Sequence, residues 1–532
     1  MIKNKSTLWS AALITAWSVD FLFWGKAVGV SFVILMAITL SAVLIAAYKE
    51  GTPPAKKSLW LLPLVLIFSS LSFIRQEPFT HALNYLMSFF LLGAFLYTFR
   101  GGRWLEYNLS DWVIGGLKLA LNTFILAIQF VFLSNDTQKE GDAVKGEVEE
   151  NEAAKKPSIW KKAAPYLRGL LLALPVLAIL TSLLASADAI FAERVKELLR
   201  FISWEYFFRA IFILILTFPV AGAFLHALTE SQDEELIGID KPWPPRFLGF
   251  IESVIVLGSV NLLFFSFVTI QFRYFFGGES NISLQGMTYS EYARRGFGEL
   301  LAVAFFTLLL FITLSAITKR ENKGQRRTFS ALTTALTLFI GVILLSSLYR
   351  LGLYENAYGF TRLRTYSHIC IIWIAILFLG ILILELIGKW RYFTLAALLA
   401  VMGFVLSMSA INVDGFITRQ NLARAFNGKK LDTYHLQSLS NDAIPDLVNL
   451  GEDARLSLID RAEIGGILAC RDALLETPRH WQSFTWSTYQ ANKSLQENAS
   501  LWNKYLTYKD EYDSWYVIIE GESRYCSNYG WD

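Results

Sequence analysis

The chain has 532 residues, 54% of them hydrophobic, 15% aromatic and only 17% charged, with a formal net charge of +3. A soluble domain carries roughly a quarter charged residues, so this chain lacks the polar surface that a soluble protein of its length requires. The small net charge argues against a nucleic-acid partner. Five dispersed His and no paired Cys argue against a structural metal, and nothing in the sequence implies a cofactor.

In chain order, Lys3 and Lys5 precede an apolar run from Leu8 that imitates a signal peptide. Asp20, Phe21 and Trp24 stand where a small-residue cleavage site belongs, so a retained first helix is expected. A spanning helix needs about 20 mostly apolar residues. Runs of that kind fall at 8–24, 28–48, 59–74, 80–99, 112–133, 167–187, 206–228, 247–270, 297–318, 328–348, 366–388 and 392–411. They are continuous rather than alternating, which excludes a β-barrel. The expectation is an all-α, polytopic transmembrane bundle of about 12 spans. The first and third runs are short, so ten or eleven spans remain open. N-terminal spans occupy 1–133, a charged linker 134–166, the main bundle 167–411 and a small helical polar tail 412–532.

The linker is a mixed-charge stretch with the composition of a disordered connector, and the acidic, proline-ended loop 229–246 reads as a second solvated connector. In the tail, Phe416, Leu422, Ala423 and Phe426 recur at helical spacing, with Gly428 as a stop. Asp432, and Ser440 or Asn441, are candidate caps for two short helices. The final residues are dense in Trp and Tyr, which suit a small helical domain or the membrane interface. Cys470 and Cys526 are read equally well as a disulfide in an oxidising compartment and as two free thiols.

Lys and Arg divide almost evenly between the two sides of a twelve-span topology. The clusters Lys155–Arg168 and Lys319–Arg327 fall on one side, taken as cytoplasmic. The tail is then extracytoplasmic, although Arg419, Arg424, Lys429 and Lys430 argue the other way.

Three groups of residues could carry chemistry. In 288–303, Arg295 and Glu299 are one helical turn apart beside Gly296 and Gly298. A charged pair at the mouth of a span must face protein or water, so it is either a ligand site or an ion pair locking helices together. In 348–368, Arg350, Glu355, Arg362 and Arg364 alternate with Tyr349, Tyr354, Tyr358 and Tyr366. Arginine forks take carboxylates or phosphates bidentately, and the tyrosines suit either such a site or an interfacial belt. Within the spans lie Asp20, Asn84, Lys118, Asn122, Arg209, Glu252 and Asn261. Intramembrane ionisable groups are functional candidates, whereas Asn more often joins helices. Walker A, HExxH and GxSxG signatures are absent.

The stretches YARRGFGELLAV, LYRLGLYENAYGFTRLR and LLASADAIFA, with the INVDGFITRQNLARAF tail opening, resemble a family of bacterial multi-pass membrane proteins catalogued as a domain of unknown function. The likeness runs from about the second span to residue 450. It implies the bacterial cytoplasmic membrane and lends no catalytic residue. The expected role is that of a non-enzymatic envelope protein. It would bind or move an anionic or lipid-like ligand, or serve a partner envelope protein, with membrane lipids around it. The alternatives are a membrane-embedded transferase or hydrolase using Glu299, Glu252 or Glu355 as general base, and a sensor coupled to a separate kinase.

Overall fold

The computed structural model describes residues 3–132, scattered positions between 169 and 194, and residues 204–232, 245–276, 297–475 and 480–526. Among them, ten helices are long and apolar enough to cross a membrane. They include α1 (Lys5–Phe23), α2 (Val30–Glu50), α4 (Pro78–Tyr97), α5 (Leu109–Phe132), α6 (Trp204–Thr229) and α7 (Phe250–Phe276). The remainder are α8 (Phe297–Ile317), α9 (Lys323–Tyr358), α10 (Arg362–Leu386) and α11 (Phe393–Ile411). The third expected run forms a shorter helix, α3 (Leu61–Ile74). Much of the sixth, 167–187, lies outside the described residues, as does the linker 134–166. Helices satisfy every backbone group internally, which is what hydrocarbon demands. Side chains such as Phe305, Phe306, Leu309 and Leu345 remain exposed, as lipid-facing positions do.

The chain divides into two compact units. In the first, Met1–Phe21 with Leu121–Leu225, Trp9 packs on Phe130 and Phe218, and Arg209 forks onto Asp20 at 2.6–3.2 Å. A Cβ on Gly222 would stand 1.8 Å from the Thr123 carbonyl oxygen, so glycine there permits the close approach of α5 and α6.

The second unit, Leu22–Ala120 with His226–Asp532, holds the other spans and the whole C-terminal domain. Phe311, Phe329, Ile340, Ile371 and Ile381 are buried in the core of α7–α10. Asn84 Nδ2 donates to Ser409 Oγ at 3.0 Å, and Asn261 Nδ2 to the Leu332 carbonyl at 3.1 Å, both joining one helix to another. The segment 348–368 was expected to join two spans. Instead α9 runs unbroken through Gly352 to Tyr358, and only Gly359–Thr361 connects it to α10; Gly359, at φ +85°, ends the helix.

Asn412, in a left-handed conformation that Asn tolerates (φ +53°), turns the chain out of α11. Its Oδ1 accepts from Gly415 N to cap α12 (Val413–Phe426). The buried stripe of α12 is Val413, Ile417, Leu422 and Ala425. Ala423, expected on that stripe, is exposed. Asp432 caps α13 (Thr433–Gln437), and Ser440 caps the 441–443 turn that leads into α14 (Ile444–Leu450). α15 (Leu458–Leu475) and α16 (Trp486–Glu497) complete the helical part.

The tail is not wholly helical. β1 (Thr507–Lys509), β2 (Trp515–Ile519) and β3 (Glu522–Tyr525) form an antiparallel sheet in the order β1-β2-β3. The run WYVII favours a strand, and Glu520 and Gly521, both at positive φ, make the tight turn after it. A disulfide between Cys470 on α15 and Cys526, both buried, ties the end of the sheet to the helix.

Candidate functional site

Among the described residues, a convergence of buried charge joins the C-terminal domain to the span ends of the second unit. The 75–77 connection between α3 and α4 lies at its centre. Glu77 precedes Pro78 and caps α4, its carboxylate accepting from Phe79 N (3.0 Å), Thr80 N (2.8 Å) and Thr80 Oγ1 (2.6 Å). Tyr366 Oη donates to the same carboxylate.

Arg362, the first residue of α10, presents its fork to Asp414 on α12, with Nε to Oδ1 at 2.8 Å and Nη2 to Oδ2 at 2.7 Å. Nη2 also donates to the Ser438 carbonyl at 3.2 Å, and Glu77 Oε1 stands 3.9 Å from Nε. Asp414 is fully buried and also accepts from Ser440 N at 2.7 Å. Asp442 Oδ2 accepts from the backbone N–H of Gln76 (2.7 Å) and Glu77 (3.0 Å), and Arg75 Nη1 lies 3.8 Å from its Oδ1. Burial raises the Asp442 carboxyl above the usual carboxylate range, against the pull of these donors.

Around this core, Gln76 Nε2 donates to Thr485 and Thr488, both at 2.9 Å, and Gln76 Oε1 accepts from Asn441. Arg75 Nε donates to the Ser409 carbonyl. Val30 N donates to the Phe484 carbonyl at 2.8 Å, and Asn421 exchanges two hydrogen bonds with Phe360. The connections 24–29, 75–77 and 359–361 therefore all abut the C-terminal domain. Strict alternation of twelve spans would place the first two on the face opposite the tail. The contacts do not follow that alternation.

The other expected site residues are dispersed. Arg295 lies outside the described residues. Glu299 is exposed in the first turn of α8, and Glu252 is exposed in the first turn of α7, over Gly249. Arg350 Nη2 donates to Gln271 Oε1 at 3.1 Å. Arg364 donates to the Gly359 carbonyl and lies 4.0 Å above the Tyr354 ring, which meets Tyr358 edge to face at 5.1 Å. Glu355 is buried, with Oε2 2.7 Å from His368 Nε2 and Oε1 without a hydrogen bond among the described residues. Of the residues expected in 348–368, Arg362 and Tyr366 belong to the seam.

Glu77, Asp414, Asp442 and His368 were missed. Glu77 had a readable signature, an acidic residue directly before a proline that opens a helix. Asp414 and Asp442 had none, because their partners are remote in sequence, and His368 is brought to Glu355 only by the return of the chain at 359–361. Among the described residues, no group of three or more His, Cys, Asp or Glu could hold a metal ion.

The chain belongs to the family described as "Domain of unknown function (DUF4153)", whose profile matches residues 61–450. The match takes in all the charged residues of the seam and stops at the residue before Gly451. No curated protein and no solved structure matches the chain.

Proposed function

We propose that this chain is an accessory protein of a bacterial cytoplasmic membrane that mounts its C-terminal domain rigidly on the extracytoplasmic face for recognition of a ligand or partner. One observation carries the reading: the Arg362–Asp414 fork, with Glu77 and Asp442 beside it, commits the charges at these span ends to one another. A fork filled by a buried carboxylate is a fastening, and it is not free to take a solute.

Two features support the sidedness. The Cys470–Cys526 disulfide suits an oxidising compartment. Among the described residues, the connections and helix starts on the face away from the domain are rich in base: Lys56, Lys57, Arg100, Arg103, Lys319, Arg320, Lys323, Arg326, Arg327 and Lys389. Those described on the domain's face carry fewer, among them Lys26, Arg75, Arg362 and Arg364, and positive connections favour the cytoplasm.

The test is labelling of intact cells with a membrane-impermeant maleimide, in a Cys370→Ser background that keeps the disulfide. Lys493→Cys, in the domain, reacts from outside, and Lys56→Cys reacts only after permeabilisation. The reverse pattern rejects the reading.

A second reading, proton-linked movement of a ligand, is favoured by the Glu355–His368 pair and its unpartnered carboxylate oxygen. It requires that Glu355→Gln abolish proton uptake by reconstituted vesicles. Retained uptake removes Glu355 from that role.

A further inference from the structure

A cleft of about 350 Å³ opens in the C-terminal domain between α15 and the turn leading into β1, away from the seam. That volume is at the lower end of the roughly 300–1,000 Å³ typical of small-molecule sites. Arg461 lines it, and its Nε is buried without a hydrogen bond among the described residues. The outer nitrogens of the same guanidinium are not buried and make no hydrogen bond among the described residues, so they are the donors that a ligand oxygen in the cleft could reach.

The lining holds one carboxylate, Glu452, against two cations, Arg461 and Lys504. Lys504, also in the lining, stands 5.4 Å from the centroid of the Tyr505 ring. That ring lies where a side chain on Gly465 would be: a Cβ there would be 2.3 Å from Tyr505 Cε2. Glycine at 465 thus lets the ring sit close against α15 as a wall of the cleft. Burial and nearby Glu520, Glu452 and Glu463 raise the Tyr505 phenol, which therefore stays a hydrogen-bond donor. Leu468 and Leu501 supply an apolar side.

We infer that this cleft binds a small solute or headgroup bearing a carboxylate or phosphate, whose oxygens accept from Arg461 and Lys504 while its apolar part lies on Leu468 and Leu501. The inference rests on the reading of the C-terminal domain as the recognising part of the chain, but not on its sidedness. A failure here leaves the labelling result standing, and the labelling result does not bear on binding.

The experiment uses the full-length chain in detergent, with thermal unfolding of the domain followed against three probes: inorganic phosphate, 4-methylpentanoate and dihexanoyl phosphatidylglycerol. At least one probe raises the unfolding temperature saturably. Response to the short-chain lipid alone identifies a headgroup as the source, and response to either of the others identifies a free solute. Arg461→Gln weakens the effect about tenfold or more, while the unliganded unfolding temperature stays within a degree or so of the parent. Lys504→Gln, at an exposed position, weakens it less and carries the test if Arg461→Gln does not fold. Gly465→Ala, which must displace Tyr505, abolishes it. No saturable response to any probe, or a response untouched by both Arg461→Gln and Lys504→Gln, overturns the inference.

Discussion

Replacing Arg362 by Met tests whether the seam is what fastens the domain. Methionine keeps the length and apolar stem of arginine but removes the fork, leaving the Asp414 carboxylate buried with Ser440 N as its remaining hydrogen-bond donor. Removing one partner of a buried ion pair costs about 3–5 kcal/mol. The Arg362 side chain is 22% exposed, so water already screens part of the pair and the lower end, about 3 kcal/mol, applies. At about 1.4 kcal/mol per factor of ten, the domain would open roughly a hundredfold more often. Hydrogen–deuterium exchange of residues 432–450, measured on the full-length protein in nanodiscs, reads this directly as faster exchange. The double variant Arg362→Met with Asp414→Leu should recover much of the loss, because an apolar pair of similar volume carries no stranded charge. If the single variant exchanges at the parental rate, the fork is not a fastening and the argument for a rigid mount collapses.

Two further perturbations probe the same junction. Gly29→Ala would place a Cβ 2.5 Å from the Phe484 carbonyl oxygen, which is backbone and cannot simply swing aside. The 480–489 segment should then become protease-sensitive at a lower temperature, by an amount corresponding to about 1–3 kcal/mol; unchanged sensitivity would mean that this contact is dispensable. The third concerns pH. Asp442 binds its proton more tightly folded than unfolded. Its contribution to stability is therefore greatest in acid and is lost as pH rises from its ordinary value near 4 through its raised folded value. His435, whose folded value burial lowers, has the opposite effect, stabilising above its ordinary value near 6.5 and losing that contribution as pH falls. Denaturant titrations of the parent and of Asp442→Asn separate the two. The parent-minus-variant stability should decline with rising pH above about 4, and a flat difference would contradict the burial argument.

The bundle was legible because a span is a local property: twenty apolar residues in a row are sufficient evidence for one helix. The seam was not, because its pairs are distant. Gln76 and Asp442 are separated by 366 positions, and Arg362 and Asp414 by 52. Arg362 was noticed only because it sits among other arginines and tyrosines, whereas Asp442 looked like an ordinary residue beside the Ser440 cap. The sheet escaped for a different reason. Strands of three to five residues give too few positions for a period to show, and the surrounding Trp and Tyr fit a helix as well as a strand. Parity failed for a third reason. The side assigned to each connection inherits every earlier crossing, so an error of one span anywhere between 77 and the tail moves the early connections to the other face.

Charge at the ends of spans is often read as a binding site, and here it has to be sorted by what each group already holds. Arg209 is taken by Asp20, Arg320 by Glu385, and Arg362 by Asp414. Each of these pairs would have to be broken before a solute could use either partner, at the cost of a stranded charge in a low-dielectric setting. A group with an unused valence needs no such exchange. Two described groups meet that condition with a setting that fits a ligand: Glu355, with one carboxylate oxygen spare beside His368, and Arg461, with the outer nitrogens of its guanidinium unpaired in a cleft that also holds Lys504 and Tyr505. Glu355 is enclosed near the end of a span and already has a partner, which suits a proton better than a solute. Arg461 lies in an open cleft beyond the residues the family profile matches. The matched residues hold all the charged residues of the seam, on both the spans and the first part of the C-terminal domain, whereas the cleft is lined wholly by residues after the match ends.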